Sequence, residues 1–185
     1  MSAPSQSDRI EIWRYTYASS SLVEARTAAK YLLANRGLPW DLKKALVCQL
    51  VIAYARPFTK SQVTRSQRMM PLAEDQVPVQ YRNLHREHCD MRDWTVGHKD
   101  ATAFPSASLN KVKARIDDTG ITLQTTSVYD ITDQALNRTI ELCELLVKQC
   151  GTNLERYMSH FHGQPVGDYL MSTDESPAVW LEKQK

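Results

Sequence analysis

The chain has 185 residues, a length that suits one domain with a substantial core. Hydrophobic residues make up 42% of it and charged residues 24%, as in an ordinary globular protein. The formal net charge of +2 does not by itself indicate a nucleic-acid partner. No run of about eighteen apolar residues is present, which excludes a membrane-spanning helix and argues against a membrane partner.

Two helices are predicted at the beginning of the chain. Apolar residues recur at helical spacing over residues 20–36, and Gly37 supplies a stop, which predicts a first helix over that range. Pro39 begins a second helix, because proline suits the start of a helix. Pro57 must end it, because proline inside a helix removes a backbone hydrogen bond.

The middle of the chain is predicted to form a loop, a helix and a β-hairpin. Residues 58–79 are polar and contain two prolines, which predicts a long loop with at most one short helix. A helical pattern resumes over residues 79–97 and predicts a third helix. Apolar residues then alternate on both sides of a turn at Gly120, which predicts a β-hairpin over residues 112–123.

The last part of the chain returns to helical spacing. Asp133 can cap a fourth helix that Gly151 stops, and Thr152 can cap a short fifth helix. The sequence therefore predicts a mainly α-helical bundle of about four to five helices with one short hairpin in a domain over residues 1–163. The remaining 164–185 form a weakly ordered tail, in which four apolar residues could dock on the domain: Tyr169, Leu170, Trp180 and Leu181.

The cysteines and the N-terminal residues bear on the cellular compartment. No C-x-x-C pair is formed by Cys48, Cys89, Cys143 and Cys150. Residues 1–12 are polar and have no apolar core of the kind that a secretion signal needs. We therefore expect reduced thiols and a cytoplasmic location.

Positive charge is concentrated in one stretch. Residues 42–73 contain no acid but carry six basic side chains: Lys43, Lys44, Arg56, Lys60, Arg65 and Arg68. Such a patch could bind a phosphate backbone. A solvated basic face without a ligand is the alternative.

The segment 91–100, read as MRDWTVGHKD, is the leading candidate for a functional site. Histidine can carry a proton near neutral pH, and the planar guanidinium of arginine can hold a phosphate through two hydrogen bonds. Arg92 and His98 are separated by the same gap as two other arginine–histidine pairs, so the spacing alone is weak. Gly97 distinguishes this pair, because a glycine should end the helix and let His98 face a cleft. A helix-end salt bridge without chemistry is the alternative.

A family resemblance follows from these residues. The helical core, the sequence YARPF at the end of the second helix and the segment 84–100 together resemble the HEPN superfamily of helical domains, many of which are ribonucleases of toxin–antitoxin, phage-defence and RNA-processing systems. The family motif is an arginine, a polar residue, a few further residues and a histidine, and Arg92, Asp93 and His98 match it. The resemblance covers roughly residues 20–100.

The resemblance implies a particular chemistry. The ribose 2′-hydroxyl would attack the phosphate, so that neither a metal nor another cofactor is needed. His98 would act as general base or acid, Arg92 would stabilise charge on the phosphate, and Asp93 would orient one of them. The two motifs of a homodimer would face each other across one cleft. RNA is the implied substrate, and an antitoxin or regulatory protein is a possible further partner.

Three residues outside the motif are candidates for substrate binding: Tyr54, Arg56 and Lys60. The ring of Tyr54 could stack on a base, and Arg56 could bind phosphate. A core role for Tyr54, with its hydroxyl hydrogen-bonded, and an ion pair for Arg56 are the alternatives.

Two further alternatives remain from the sequence. A metal site could be built on His85, His88, Cys89 and Asp90, or on His160 and His162, but zinc needs three or four converging ligands, and we expect no metal. For the function, the alternative to an endoribonuclease is a non-catalytic helical interaction module that binds a partner protein or RNA.

Overall fold

The computed structural model describes residues 4–62, 68–69, 71–96, 112–118, 120–125, 131–165, 168–173 and 180–184. It confirms the mainly α-helical fold with a short β-hairpin. The described helices are α1 (Gln6–Ala34), α2 (Trp40–Ala55), α3 (Arg82–Val96) and α4 (Asp133–Glu155).

Helix α1 begins well before the predicted start at residue 20. Ser5 and Asp8 form a capping box, in which the Ser5 hydroxyl accepts from the Asp8 backbone N–H and the Asp8 carboxylate accepts from the Ser5 N–H. Ile12, Tyr15 and Ala18 continue the buried stripe of the helix towards its N-terminus. The predicted start was therefore wrong, because tyrosine and alanine obscure a stripe that is continuous in the structure.

Prolines frame helix α2 as predicted. Pro39 directly precedes the first helical residue, Trp40, and Pro57 lies in a 3-10 turn over Arg56–Phe58 that ends the helix. Further 3-10 turns, Glu74–Gln76 and Val79–Tyr81, lead into α3. The described part of the predicted loop between α2 and α3 thus contains short turns.

Helix α4 corrects the prediction that Gly151 stops a fourth helix and Thr152 starts a fifth. The helix runs through both residues to Glu155, and a 3-10 turn over Met158–Phe161 follows. Glycine lowers helix propensity by only about 1 kcal/mol, and the buried side of α4 outweighs that cost. The cap is Thr132, whose hydroxyl accepts from the Ala135 N–H at 3.2 Å.

Three antiparallel strand pairs are described. The strands are β1 (Ser61–Gln62) with β2 (Arg68–Met69), β3 (Val112–Asp117) with β4 (Gly120–Thr125), and β5 (Tyr169–Met171) with β6 (Leu181–Lys183). The longest is the predicted hairpin, in which Val112 lies opposite Thr125 and Asp117 opposite Gly120. The third pair gives the tail more structure than predicted, and Trp180 packs against Phe161 with ring centroids 5.6 Å apart.

The core lies along α1, which packs against both α2 and α4, while α3 packs on α2. Its apolar part includes the fully buried Leu22, Leu50 and Leu142. Two histidines of α3, His85 and His88, are also almost completely buried. The first half of α3 therefore enters the core with polar side chains, which need hydrogen-bond partners there.

Candidate functional site

Arg92 and Asp93 lie near the C-terminal end of α3. Nη2 of Arg92 is 3.0 Å from Oδ1 of Asp93, and the Arg92 side chain is 28% exposed whereas that of Asp93 is 62% exposed. Nε of Arg92 is buried and has no hydrogen-bond partner among the described residues. Because Nε is buried, only the terminal nitrogens of this partly exposed guanidinium can bind a further partner.

His98 and Gly97 lie outside the described residues. The last described residue of α3 is Val96. That Gly97 ends the helix stays a prediction from the sequence. The convergence of His98 with Arg92 stays a prediction from the sequence.

Tyr54 is completely buried, with its ring near Phe58, His85 and His88 at centroid distances of 5.6, 5.8 and 4.9 Å. Its hydroxyl is 3.0 Å from Nδ1 of His85. The prediction that this ring stacks on an RNA base is therefore corrected, since a base would reach it only by opening the core. The alternative from the sequence, a core aromatic with its hydroxyl hydrogen-bonded, describes Tyr54 instead.

Arg56 and Lys60 lie at and after the end of α2. Nη1 of Arg56 is 3.1 Å from Oε2 of Glu24 on α1, so Arg56 forms the ion pair given as its alternative role. Both partners are about 40% exposed or more, and such pairs are weak in water. Lys60 is exposed. Arg56 and Lys60 can therefore each bind a phosphate in place of water or of a weak ion pair. Among the described residues, no contact brings either of them next to Arg92.

His88 is buried and hydrogen-bonded to helix α4. Its Nε2 is 2.8 Å from Oγ1 of Thr139 on α4, and that hydroxyl lies 2.7 Å from the Ala135 carbonyl oxygen. Because the Thr139 hydroxyl donates to Ala135, the hydrogen of the first bond is assigned to His88 Nε2, which leaves Nδ1 as an acceptor without a partner. Burial lowers the pKa of His88 to about 4, so the ring is neutral at physiological pH.

His85 connects the core to an open cleft. Burial lowers the pKa of His85, the charge of Glu74 raises it, and that of Arg86 lowers it further. Burial also keeps Tyr54 protonated by raising its pKa, so the phenol donates to Nδ1 of His85. On its outer side His85 lines a cleft of about 450 Å³ together with Glu74, Asp75, Arg82 and Arg86.

The sequence did not predict this cleft. A signal was present, because Arg82, His85 and Arg86 have the spacing of neighbours on one face of a helix. The two acids that complete the cleft come from the turn Glu74–Gln76, within the stretch predicted to be a loop. Their approach to α3 depends on the tertiary path of that loop, which residue spacing does not encode.

The cleft and Arg92 lie on the same side of α3. His85, Cys89 and Arg92 follow one another at intervals of four and three residues, which aligns them along the helix. Sγ of Cys89 lies 3.9 Å from Nε2 of His85. Burial raises the pKa of the Cys89 thiol to about 11, and the charge of Arg92 opposes this shift. Arg92 is therefore near enough to act electrostatically on the residue beside His85.

The described part of the chain has neither a metal-binding cluster nor a membrane-spanning helix. No group of three or more His, Cys, Asp or Glu side chains lies where it could hold a metal ion among those residues. None of the described helices combines the length and apolar character needed to cross a membrane.

Comparison of the chain with models of known protein families, with curated proteins and with solved structures found no match. The HEPN resemblance therefore depends on the sequence motif at Arg92, Asp93 and His98.

Proposed function

We propose that this protein is a metal-independent endoribonuclease of the HEPN type, with Arg92 and His98 in its active site. The observation that carries the proposal is the state of Arg92. Its guanidinium is held by Asp93 at 3.0 Å, and the side chain is 28% exposed, so a phosphate can reach the terminal nitrogens that Asp93 does not occupy. An arginine that is oriented but not saturated with hydrogen bonds is suited to bind a phosphate.

The proposed reaction is an attack by the ribose 2′-hydroxyl on the adjacent phosphate. His98 removes the proton of that hydroxyl, the bond from phosphorus to the 5′-oxygen breaks, and the leaving oxygen takes up a proton. The products are a 2′,3′-cyclic phosphate and a free 5′-hydroxyl. Arg92 stabilises the negative charge that develops on the phosphate oxygens, and Asp93 keeps the guanidinium in position.

A homodimer completes this site in the proposal. One copy supplies one arginine and one histidine, whereas the reaction needs both a base and an acid. Two copies related by a twofold axis bring two such pairs to one cleft. Arg56 and Lys60, whose charges are exposed to solvent, then bind the RNA backbone on either side of it.

The biological setting follows from the same resemblance. We place the enzyme in the cytoplasm, as a toxin, a phage-defence nuclease or an RNA-processing enzyme, with an antitoxin or regulatory protein as a further partner. The second candidate is a non-catalytic interaction module that binds protein or RNA. The ion pair of Arg92 with Asp93 favours the interaction module, because Asp93 already compensates the positive charge of Arg92.

Cleavage of RNA in the presence of EDTA tests the proposal. We expect the purified protein to cut RNA without a divalent ion and to leave 2′,3′-cyclic phosphate or 3′-phosphate ends. Arg92→Ala should lower the rate by a factor on the order of a hundred or more, since one preorganised donor to a developing charge has that effect. Activity that requires a divalent ion, or an Arg92→Ala variant as fast as the wild type, contradicts the proposed mechanism. Binding of RNA or protein without any cleavage supports the interaction module instead.

A further inference from the structure

The cleft beside the first half of α3 has the size and lining of a ligand site. Its volume of about 450 Å³ is within the range of small-molecule pockets. Glu74 and Asp75 line one side, and Arg82, His85 and Arg86 line the other. His85 is only 4% exposed and is fixed by the Tyr54 hydroxyl, so the cleft has a rigid floor.

The charges of this cleft are not paired with each other. In the described part of the chain, no ion pair joins Glu74 or Asp75 to either arginine, and Nη2 of Arg86 donates to Oδ1 of Asn83 at 3.1 Å. A phosphate alone would be repelled by the two carboxylates, and a metal cation by the two guanidinium groups. The lining instead suits a ligand with both hydrogen-bond donors and acceptors on a neutral ring.

Guanine matches this lining better than the other RNA bases. It has two adjacent donors, N1–H and the 2-amino group, which a carboxylate can accept through both of its oxygens. It also has two adjacent acceptors, O6 and N7, which fit the guanidinium fork. Adenine, cytosine and uracil lack this combination of two paired donors and two paired acceptors.

We propose that the cleft binds a guanine base of the RNA substrate, with Glu74 accepting from N1–H and the 2-amino group and Arg86 donating to O6 and N7. This inference rests on the proposed ribonuclease function and adds base specificity to it. Seven residues separate His85 from Arg92, which is about 10 Å along a helix. Neighbouring nucleotides of one strand can therefore occupy the cleft and the Arg92 site together.

Binding of mononucleotides tests the inference without any cleavage. GMP, AMP, CMP, UMP and inorganic phosphate are titrated separately into the full-length protein in EDTA, by calorimetry. We expect GMP to bind at least about tenfold more tightly than the other four, because one bidentate base contact discriminates by about 1–3 kcal/mol. Equal binding of all nucleotides, binding of phosphate as tight as that of GMP, or no binding of GMP overturns the inference.

A pair of matched variants locates the binding. Glu74→Gln keeps the size of the side chain but replaces one acceptor with a donor, and it should remove the preference for GMP. Glu87→Gln is the control, because Glu87 is an exposed acid on α3 outside the cleft lining. Thermal unfolding shows whether each variant is folded. If folded Glu74→Gln still prefers GMP, the assignment of the cleft is wrong.

Mapping of the cut sites on RNA separates this inference from the proposed function. Cuts next to guanines, redistributed by Glu74→Gln, support both. Metal-independent cleavage without any preference for guanine contradicts the cleft inference and leaves the ribonuclease. GMP binding that depends on Glu74 in a protein that cuts no RNA contradicts the ribonuclease and supports the guanine site.

Discussion

The arginines of two arginine–histidine pairs with the same spacing lie on helix α3, and the surroundings of these arginines differ. Arg82 is exposed while His88 is completely buried and hydrogen-bonded to Thr139. In the second pair Arg92 is partly exposed and held by Asp93, and His98 lies outside the described residues. Identical spacing therefore leads to a core contact at one end of the helix and to a candidate phosphate site at the other. The packing of α3 decides the role of His88, whereas the role of His98 stays a prediction.

The largest expected effect is the loss of RNA cleavage when His98 is substituted, and it tests whether the second pair is catalytic. We expect His98→Ala to lower RNA cleavage by a factor of roughly 10² to 10⁴, because it removes the general base. His162→Ala is the matched control, since His162 ends the third arginine–histidine pair and is exposed. It should cleave like the wild type. Equal rates for wild type and His98→Ala would contradict the proposed role of His98 as general base.

At the buried end of α3, substitution of His88 should change the pH dependence of the free energy of unfolding. The pKa of His88 is about 4 in the folded protein and 6.5 in the unfolded chain, so the unfolded state binds more protons between these values. The contribution of neutral His88 to the free energy of unfolding is fully present above pH 6.5 and is lost as the pH falls to about 4. A shift of this size corresponds to about 3 kcal/mol. The lowered pKa of His85 acts in the same direction.

The variant His88→Gln isolates this contribution. Glutamine does not titrate in this range, so urea unfolding at a series of pH values should give a flatter curve for the variant than for the wild type. Carboxylates titrate in both proteins and cancel in the difference. A difference in unfolding free energy that does not change between pH 7 and pH 4 would mean that His88 is not buried as a neutral ring.

Much of the fold could be predicted from the sequence, because the helices depend on local patterns. The prolines at 39 and 57 mark α2, and the alternation around Gly120 marks the hairpin. Gly151 misled the prediction, because a glycine ends a helix only where the chain turns away, and Leu154 beyond it still packs, partly buried, against the core. The start of α1 was missed because its stripe includes small and aromatic residues.

The candidate site was less predictable, because it depends on tertiary contacts. The motif at Arg92 is local, and the Asp93 contact lies within one turn of helix. The burial of Tyr54 follows from the packing of α2 on α3, and the cleft at His85 requires the loop at Glu74 to come back to α3. Neither approach leaves a periodic pattern in the sequence.

A smaller effect concerns the orientation of Arg92. Asp93→Asn should lower the cleavage rate about tenfold, since one charge-assisted hydrogen bond contributes roughly 1.5 kcal/mol. Asp90→Asn is the control, because Asp90 is an exposed acid one turn earlier on α3. The comparison is single-turnover cleavage at saturating RNA. Should both variants lose activity equally, the effect would come from general charge near the site and not from the Arg92–Asp93 contact.

The smallest expected effect is on the free energy of unfolding, at the contact of Tyr54 on α2 with His85 on α3. Tyr54→Phe removes the hydroxyl that donates to Nδ1 of His85 but keeps the ring in the core. An unsatisfied buried nitrogen should then lower the free energy of unfolding by about 1 kcal/mol. Tyr31→Phe, at a ring that is 49% exposed, should leave stability unchanged.

The same variant tests the correction made for Tyr54. A phenylalanine ring still stacks, so a substrate role in stacking alone would survive the change, while Tyr54→Leu would remove it. If Tyr54 is a core residue, both variants should cleave RNA like the wild type at temperatures well below their unfolding transitions, and Tyr54→Leu should be the less stable. A folded Tyr54→Leu protein with greatly reduced RNA affinity would instead mean that the core opens on substrate binding. The buried half of α3 would then belong to the site as much as Arg92 does.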